Sequence, residues 1–274
     1  MDFISLFAQV VSILDKCPRY FCYLLIGFSL IACGEKSPET KVPTEKADVI
    51  LHTDLGDIHV KLFDETPRHK ANFLKLARSG FFDSLSFNRI IYDFMIQSGD
   101  PRYKNGGIDT SKEAGPGYEL APEFREEFVH TRGMIGAARK PDEENEERKS
   151  AGSQFYIVTG KTVTAAVLDT METVGTGFRR GNFYTKFQQS LADSSFSGSF
   201  QDFLQKENFT DFSYPIKQKQ LYMQLGGAPH LDFTYTLFGK VLEGMDIVMD
   251  ISKMPTSSYN VPKDTIRILS AEVL

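Results

Sequence analysis

The chain has 274 residues, of which 41% are hydrophobic and 24% are charged, and its formal net charge is −5 at pH 7. This composition is typical of a globular protein with a sizeable core. The negative charge argues against a nucleic-acid partner, which would require a basic surface. All three cysteines lie within the first 33 residues, so the remaining sequence has no thiols for disulfides or metal binding. The five histidines lack metal-binding spacing, and we expect no metal site.

Residues 16–33 have the order of a secretory signal, in which two basic residues precede an apolar run. The run is shorter than the roughly 20 residues that span a bilayer. It ends in the letters LIAC at residues 30–33, which resemble the bacterial lipobox, where cleavage exposes a cysteine for acylation. We therefore expect a signal peptide over residues 1–32 and a lipid on Cys33. The alternative is an uncleaved membrane anchor.

Residues 33–47 are rich in Glu, Lys, Pro and Thr and poor in apolar side chains. Such a composition cannot pack into a core and predicts a flexible tether. We therefore expect a folded domain over residues 48–274, lipid-anchored in the cell envelope and facing the periplasm. Gly34 stands where an aspartate is associated with retention in the inner membrane, which favours the outer membrane.

The predicted elements of the domain begin with the alternating segments VILHT and DIHVKLF on either side of a turn, which predict a hairpin. Thr66 and Pro67 then predict the start of a helix that Thr66 caps, and Gly80 predicts its end. We expect this helix to bury an apolar stripe that consists of Ala71, Leu74 and Ala77.

Further strands are predicted by runs of strand-forming residues at 86–91, 94–98, 133–138, 153–158, 235–242 and 265–273. A second short helix is predicted over residues 245–251. With the first hairpin, the chain has about eight short strands and few helices, which favours a closed barrel because closure removes exposed sheet edges.

Residues 163–226 interrupt this succession of strands with polar sequence that contains many phenylalanines. Phe200, Phe203 and Leu204 have helical spacing, and Pro215 predicts the start of another helix. The segment is therefore predicted to be a mostly helical insertion.

Three sequence blocks resemble the cyclophilins, a family of peptidyl-prolyl cis-trans isomerases. The blocks are FNRIIYDFMIQSGD at 87–100, HTRGMIGAAR at 130–139 with GSQFYIVTG at 152–160, and LDFTYTLFGKV at 231–241. The resemblance implies a mainly β fold, a closed eight-stranded antiparallel barrel capped by two helices, that works as a monomer without a cofactor. Its substrates would be proline-containing polypeptides that are unfolded or still folding.

The resemblance also implies the roles of individual residues. Arg89 would donate a hydrogen bond to the prolyl nitrogen, and Gln97 would hold both Arg89 and the peptide backbone. The apolar pocket for the proline ring would be formed by Phe94, Met95, Tyr156 and Leu231. The other implied substrate contacts are Ala138 and Arg139 on the strand that pairs with the substrate, Gln154 in the adjoining groove, and Tyr235 on the pocket rim. Taken alone, Arg89 would more often be a strand residue in a salt bridge.

The sequence departs from the commonest family pattern at two of these positions. Tyr156 replaces a phenylalanine, and its added hydroxyl on the pocket floor would need a hydrogen-bond partner. Arg139 replaces an asparagine, so we expect backbone contacts with the substrate to persist and side-chain contacts to differ.

Two segments leave alternatives open. The acidic loop at 140–149 is either simply solvated or biases the enzyme against acidic peptides. The insertion either walls the substrate groove or is structural decoration. For the whole protein we expect an isomerase that assists the folding of exported proteins, and the alternative is a peptide-binding holdase chaperone on the same scaffold. No Gly-x-Ser-x-Gly elbow supports a hydrolase.

Overall fold

The structure is a computed structural model that describes residues 45–274. The predicted signal peptide, Cys33 and most of the predicted tether lie outside these residues, so the lipid anchor stays a prediction. Between residues 45 and 274, no helix combines the length and the apolar character needed to cross a bilayer.

Most of the strands belong to one large antiparallel sheet. In chain order the strands are β1 (Val49–Thr53), β2 (Gly56–Leu62), β3 (Leu85–Ser86), β4 (Arg89–Ile91), β5 (Met95–Ser98), β6 (Glu119–Leu120), β7 (Met134–Ala137), β8 (Ser150–Ala151), β9 (Phe155–Val158), β10 (Leu237–Glu243) and β11 (Arg267–Val273). Nine of them form the sheet β3-β11-β1-β2-β10-β7-β9-β5-β4, and β6 pairs with β8 separately. The predicted hairpin is confirmed as β1 and β2.

The sheet is strongly curled but open, so the predicted closed eight-stranded barrel is wrong. β3 and β4 lie at the two ends of the strand order and do not pair with each other. The strand predicted at 86–91 is broken at Phe87 and Asn88, whose N–H groups donate to Ile266 at one end of the sheet and to Gln97 at the other. The chain thus passes from one edge to the other within two residues.

Within residues 45–274, five α-helices accompany the sheet: α1 (Pro67–Arg78), α2 (Ala165–Ala192), α3 (Phe200–Lys206), α4 (Ile216–Leu225) and α5 (Met245–Ser252). The predicted helices that correspond to α1 and α5 are confirmed, and both contribute buried side chains to the main core. The buried face of α1 consists of His69, Phe73, Leu76 and Ala77. The predicted stripe is therefore wrong at Ala71, which is exposed.

The start of α1 also differs from the prediction. The Thr66 hydroxyl donates to the carbonyl of Phe63 and makes no capping hydrogen bond to the helix. Instead, the carboxylate of Glu123 accepts the N–H groups of Arg68 and His69, at 3.2 and 3.1 Å. A carboxylate at this end is stabilised by the helix dipole as well as by the two donors.

The predicted insertion is mostly helical, because α2, α3 and α4 lie within it. Phe200, Phe203 and Leu204 fall in α3, and Pro215 directly precedes α4, as predicted. The insertion contributes to a second apolar cluster of buried residues, which are Val129, Leu168, Phe212, Tyr214 and Tyr222. The insertion is therefore packed against the sheet-bearing part of the chain through its own small core.

Candidate active site

Strand alternation places the candidate site on the outer face of the curled sheet. Neighbouring strands pair Ile90 with Ile96, Ile96 with Ile157, and Ile157 with Ile135, and all four side chains belong to the main core. The residues one position away point to the opposite face, because successive side chains on a strand alternate. They form an outer row across β4, β5, β9 and β7 that consists of Arg89, Gln97, Tyr156 and Gly136.

An outer apolar cluster lies beside this row. Its members are Ile91, Phe94, Met95, Met134, Ala138, Tyr156, Val158, Ala228, Leu231 and Tyr235. Six of the eight predicted substrate-binding residues are therefore brought together here. The rings of Tyr156 and Tyr235 meet edge to face at 6.0 Å, and Phe94 packs against His230 with ring centres 5.1 Å apart. The cluster therefore gathers aromatic and aliphatic side chains beside the outer row.

Arg89 and Gln97 are directly opposite each other on β4 and β5. Arg89 is exposed, and among residues 45–274 its guanidinium has no hydrogen-bond or ion-pair partner. Gln97 donates to the side chain of Gln154 at 2.9 Å, and Gln154 donates to the carbonyl of Ala114 at 2.6 Å. The two glutamines are therefore fixed in place, while the arginine is available to an incoming ligand.

An open groove with a volume of about 760 Å³ adjoins the cluster. Five predicted site residues line it: Arg89, Gln97, Ala138, Arg139 and Gln154. No residue of the insertion lines this groove, so the hypothesis that the insertion walls it is wrong. The acidic loop contributes only Lys140 and Lys149 to the lining, whereas its carboxylates at 142–144 and 146–147 are exposed. Of the charged side chains of the loop, only these two lysines face the groove, and Lys149 is paired with Glu147.

Ala138 and Arg139 do not lie on the strand as predicted, because β7 ends at Ala137. The backbone of Ala138 is already paired, since its N–H donates to Gln154 and its carbonyl accepts from Ala151. The backbone of Arg139 has no such partner among residues 45–274. Of the two residues, only Arg139 can thus offer its main chain to a peptide.

The side chain of Arg139 is locked against the rim of the cluster. Its guanidinium lies 4.4 Å above the ring of Tyr235, and its Nε donates to the carbonyl of Thr234 at 2.8 Å. A salt bridge of 2.6 Å joins it to Asp142. Only 5% of this side chain is exposed. The arginine therefore braces Tyr235 from behind, which is a role that the usual asparagine is too short to play.

The hydroxyl that Tyr156 adds to the site does have a partner, as its chemistry requires. It lies 2.9 Å from Nε2 of His130, whose Nδ1 lies 2.7 Å from a carboxylate oxygen of Asp232. Because a carboxylate only accepts hydrogen bonds, Nδ1 of His130 carries a proton toward Asp232, and Nε2 is the ring atom that faces the Tyr156 hydroxyl. Burial raises the pKa of the Tyr156 hydroxyl well above its usual value, so this hydroxyl stays protonated.

Asp232 is the centre of a buried hydrogen-bond network. Besides the ring of His130, its carboxylate accepts the backbone N–H of His130 at 2.9 Å and the hydroxyls of Tyr214 and Tyr222 at 2.6 and 2.7 Å. Burial, with the nearby charge of Asp232, raises the pKa of both tyrosines, so both remain donors. These four donors occupy the acceptor sites of the carboxylate, which is how a buried carboxyl group is tolerated.

Sequence reasoning missed the residues of this network. His130 and Asp232 lie near the start of two family blocks but carry no role implied by the resemblance, and Tyr214 and Tyr222 lie in the insertion, for which the sequence predicts only helices. The one feature of the sequence that pointed to this network was the hydroxyl of Tyr156, which was expected to need a hydrogen-bond partner. In the described part of the chain, no group of acidic, histidine or cysteine side chains has the arrangement of a metal site.

The family model described as "Cyclophilin type peptidyl-prolyl cis-trans isomerase/CLD" matches residues 48–175 and 216–273. These two ranges make up more than half of the chain and contain every residue of the outer row and of the outer apolar cluster. The unmatched residues 176–215 include α3 and the C-terminal half of α2.

Similar proteins carry the same activity in their names. A Staphylococcus saprophyticus protein named for peptidyl-prolyl cis-trans isomerase activity is 27% identical over 236 residues, which cover 86% of this chain and 95% of the relative. A peptidyl-prolyl cis-trans isomerase of Arabidopsis thaliana is 27% identical over 227 residues, which cover 82% of this chain and 24% of that protein.

A crystal structure of a cyclophilin-type isomerase from Cryptosporidium parvum superposes with a TM-score of 0.51. The two proteins are 21% identical, and the match covers 82% of this chain and 96% of that chain. At this identity the likeness concerns the fold, which is mainly β and cyclophilin-like. The same protein has been crystallised in the presence of the dipeptide Ala-Pro.

Proposed function

The chain belongs to the cyclophilin-type peptidyl-prolyl cis-trans isomerases, and we propose that Arg89 stabilises the twisted X-Pro amide of its substrate. Rotation about that bond breaks amide resonance at a cost of roughly 18–20 kcal/mol. Without a catalyst it takes tens to hundreds of seconds. At the twisted transition state the prolyl nitrogen regains a lone pair, which can accept a hydrogen bond that the planar amide hardly accepts. A donor at that point lowers the barrier because it binds the transition state better than the ground state.

The observation that carries this proposal is the placement of Arg89. Its guanidinium is exposed on the outer face, is unpaired within residues 45–274, and lies in the row that borders the outer apolar cluster. An arginine kept for stability would be expected to hold an ion pair, as Arg102 does with Asp100. Arginine also stays charged at every relevant pH and presents a rigid set of donors.

The other site residues divide into two tasks in this proposal. The outer apolar cluster receives the proline ring, with Phe94, Met95, Leu231 and Tyr235 around it and Tyr156 at its floor. The substrate backbone is held by Gln97 and by the free main chain of Arg139, while Gln154 keeps Gln97 in position. The groove beside the cluster accepts the residues on either side of proline.

The test is the cis-trans exchange rate of an X-Pro peptide with the full chain, its Arg89→Ala variant and an Arg78→Ala control. Arg78 is an exposed arginine at the end of α1, and it belongs neither to the outer apolar cluster nor to the lining of the groove. We expect Arg89→Ala to lose at least about tenfold in kcat/KM, which corresponds to about 1.4 kcal/mol of transition-state stabilisation. Arg78→Ala should keep the parent rate. Equal rates for all three proteins would show that Arg89 is not the donor.

The place of action is a separate part of the proposal. The lipobox-like sequence before Cys33 supports a lipid-anchored enzyme that faces the periplasm and assists exported proteins, for which slow X-Pro steps limit folding. Expression of the full chain and of a Cys33→Ser variant with a radiolabelled fatty acid tests this. Label in the parent alone supports the anchor, and label in neither protein contradicts it.

A second candidate function, a peptide-binding holdase, is favoured by exposed apolar side chains on the insertion. On α4 these are Ile216, Leu221, Met223 and Leu225. If the insertion binds unfolded chains, an Arg89→Ala variant should still suppress the aggregation of an unfolded protein, and an Ile216→Ser/Leu221→Ser variant should not. Loss of suppression in Arg89→Ala alone would count against this function.

A further inference from the structure

We propose that the insertion positions the floor of the outer apolar cluster, through a buried chain of hydrogen bonds from Tyr214 and Tyr222 to Tyr156. The inference rests on the proposed function, because it assigns the insertion an effect on how that cluster binds proline. It makes Tyr214 and Tyr222 positioning residues, which act on the substrate through other side chains and never touch it.

The first link of the chain fixes the ring of Tyr156. Gly136 lies opposite Tyr156, and a Cβ there would come within 2.3 Å of the ring, so the ring lies against bare backbone. Tyr235 meets the ring edge to face, and the imidazole of His130 lies nearly parallel to it at 14°, with ring centres 6.1 Å apart. The hydrogen bond from the hydroxyl to His130 then sets how deep the ring lies. The floor of the cluster is thus defined by a single bond to His130.

The second link fixes His130. Both its ring Nδ1 and its backbone N–H donate to the same oxygen of Asp232, at 2.7 and 2.9 Å. The side chains of His130 and Asp232 are only 1% and 0% exposed, so no solvent can replace a lost donor without a change in packing. The orientation of the imidazole therefore follows the position of the Asp232 carboxylate.

The third link fixes Asp232, and it comes from the insertion. Tyr214 precedes α4, Tyr222 lies within it, and their hydroxyls both donate to the second carboxylate oxygen of Asp232. Asp232 directly follows Leu231, which belongs to the outer apolar cluster. The two tyrosines therefore hold one wall of the cluster through the backbone of Asp232 and its floor through His130.

This arrangement explains two otherwise unrelated features of the chain. The hydroxyl of Tyr156 would be a liability on a pocket floor without a buried acceptor. The insertion, which contributes no residue to the groove, still reaches the cluster because Asp232 collects donors from both sides. The hydroxyl of Tyr156 and the two tyrosines of the insertion therefore lie at opposite ends of one hydrogen-bond chain.

The experiment is a double-mutant cycle in the full chain, with kcat and KM measured for an X-Pro peptide. Tyr214→Phe and Tyr222→Phe each remove one hydroxyl and keep the ring that packs in the second cluster. Tyr184→Phe is the matched control, because its exposed ring lies on α2 of the same insertion and its hydroxyl has no partner among residues 45–274. Each change is made in the parent and in a Tyr156→Phe background, where the link to the floor is already cut.

We expect Tyr222→Phe and Tyr214→Phe to raise KM at least about threefold with kcat changed less than about twofold, because ground-state contacts with proline are weakened. Tyr184→Phe should leave both constants unchanged. In the Tyr156→Phe background the effect on KM should fall to the part that acts through Leu231, and a merely structural role would not produce this loss. Unchanged KM in both single variants, or equal effects in the two backgrounds, would overturn the inference. Folding of each variant is checked by circular dichroism. If Tyr214→Phe or Tyr222→Phe does not fold, the double-mutant cycle of the other tyrosine with Tyr156→Phe tests the inference.

The outcome is independent of the test of Arg89. A parent enzyme that depends on Arg89 but shows no coupling between Tyr222 and Tyr156 refutes this inference and leaves the proposed function standing. Conversely, if Arg89→Ala retains full activity, the KM cycle still reports whether the insertion and the cluster are coupled.

Discussion

Gly136 lies directly opposite Tyr156 in the outer row, and a Cβ built on Gly136 would lie 2.3 Å from both Cζ and Oη of Tyr156. No side chain fits in this space, so the glycine is required by close approach and not by its backbone angles. Gly136→Ala must therefore displace the Tyr156 ring and break its hydrogen bond to His130. We expect a loss of about tenfold or more in kcat/KM and a destabilisation of about 1–3 kcal/mol.

The measurement is the exchange rate of an X-Pro peptide together with a urea unfolding curve. Gly177→Ala provides the matched control, since a Cβ at Gly177 meets nothing within 4 Å. Parent-like kinetics for a folded Gly136→Ala protein would contradict the prediction, because they would mean that the ring position does not matter for turnover.

Three glycines within α2 allow a separate prediction about stability. A Cβ at Gly175 would lie 2.5 Å from the ring of Phe212, which is buried, whereas Gly177 and Gly181 are exposed and open. Alanine costs less conformational entropy in a helix than glycine. We therefore expect Gly177→Ala and Gly181→Ala each to stabilise the protein by about 0.5–1 kcal/mol. Gly175→Ala should destabilise it by about 1–3 kcal/mol because the clash outweighs that gain.

Unfolding midpoints of the three variants, measured side by side, test this contrast. Stabilisation by all three alanines would show that α2 shifts easily away from Phe212. Destabilisation at Gly177 or Gly181 would show that the helix packs differently along its exposed face.

The residues that line the site could be predicted from sequence because the family motifs are contiguous. FNRIIYDFMIQSGD supplies two residues of the outer row, Arg89 and Gln97, and part of the core from one hairpin, since alternate residues face opposite sides. The open sheet could not be predicted in the same way. Strand signals are local, whereas closure depends on Phe87 and Asn88, which use their N–H groups on opposite edges. A count of strands says nothing about such a crossing.

The network around Asp232 was also beyond reach of the sequence, for a physical reason. Its hydrogen-bonded pairs are between 10 and 102 residues apart along the chain, from Tyr222 with Asp232 to His130 with Asp232. No spacing pattern links residues whose contact depends on the tertiary packing of an insertion. The prediction that Thr66 caps α1 failed for a similar reason. The group that accepts the first N–H groups of the helix is the carboxylate of Glu123, which is 55 residues from Arg68 along the chain.

His69 and Glu123 give the protein a defined pH dependence of stability. Burial lowers the pKa of His69 below 6.5 despite the carboxylate of Glu123 at 2.7 Å. Burial alone would raise the pKa of Glu123, but hydrogen bonds from His69 hold it below its ordinary value. Both folded pKa values are thus depressed, so the unfolded state binds more protons at acidic pH. Stability from His69 should therefore be present above pH 6.5 and lost as the pH falls below it. The contribution of Glu123 is lost at lower pH still.

The measurement is the free energy of unfolding of the full chain at several pH values between about 7.5 and 5.5. Over this range the histidine of the unfolded chain becomes protonated, which favours unfolding. We expect His69→Gln to be less stable than the parent at the upper end and to show a smaller decline toward the lower end. His59→Gln on β2 is the matched control, because no side-chain hydrogen bond of His59 is found within residues 45–274. An equal decline in parent and His69→Gln proteins would assign the pH dependence to other groups.

Arg139 is expected to control substrate affinity through Tyr235. Arg139→Ala removes the stacking at 4.4 Å and the donor to the carbonyl of Thr234, so the tyrosine on the rim loses its support. A cation–π contact of this kind contributes about 0.5–2 kcal/mol, and we expect KM for an X-Pro peptide to rise about two- to tenfold. The turnover number should change little, since Arg89 and the outer row remain in place. The KM of an Arg139→Lys variant should lie between those of the parent and of Arg139→Ala. An ammonium group keeps the positive charge but cannot both stack flat on the ring and donate as a fork.

Arg148→Ala separates this effect from a change in net charge. Arg148 also binds Asp142, at 2.7 Å, but its guanidinium lies over Phe178 of the insertion, 5.1 Å from the ring centre, and not over Tyr235. The same positive charge is lost in both variants, and the same carboxylate loses one partner. If support of Tyr235 is what matters, KM rises in Arg139→Ala alone. An equal rise of KM in both variants would assign the effect to the charge of the acidic loop. Support of Tyr235 by Arg139 would then play no part in substrate affinity.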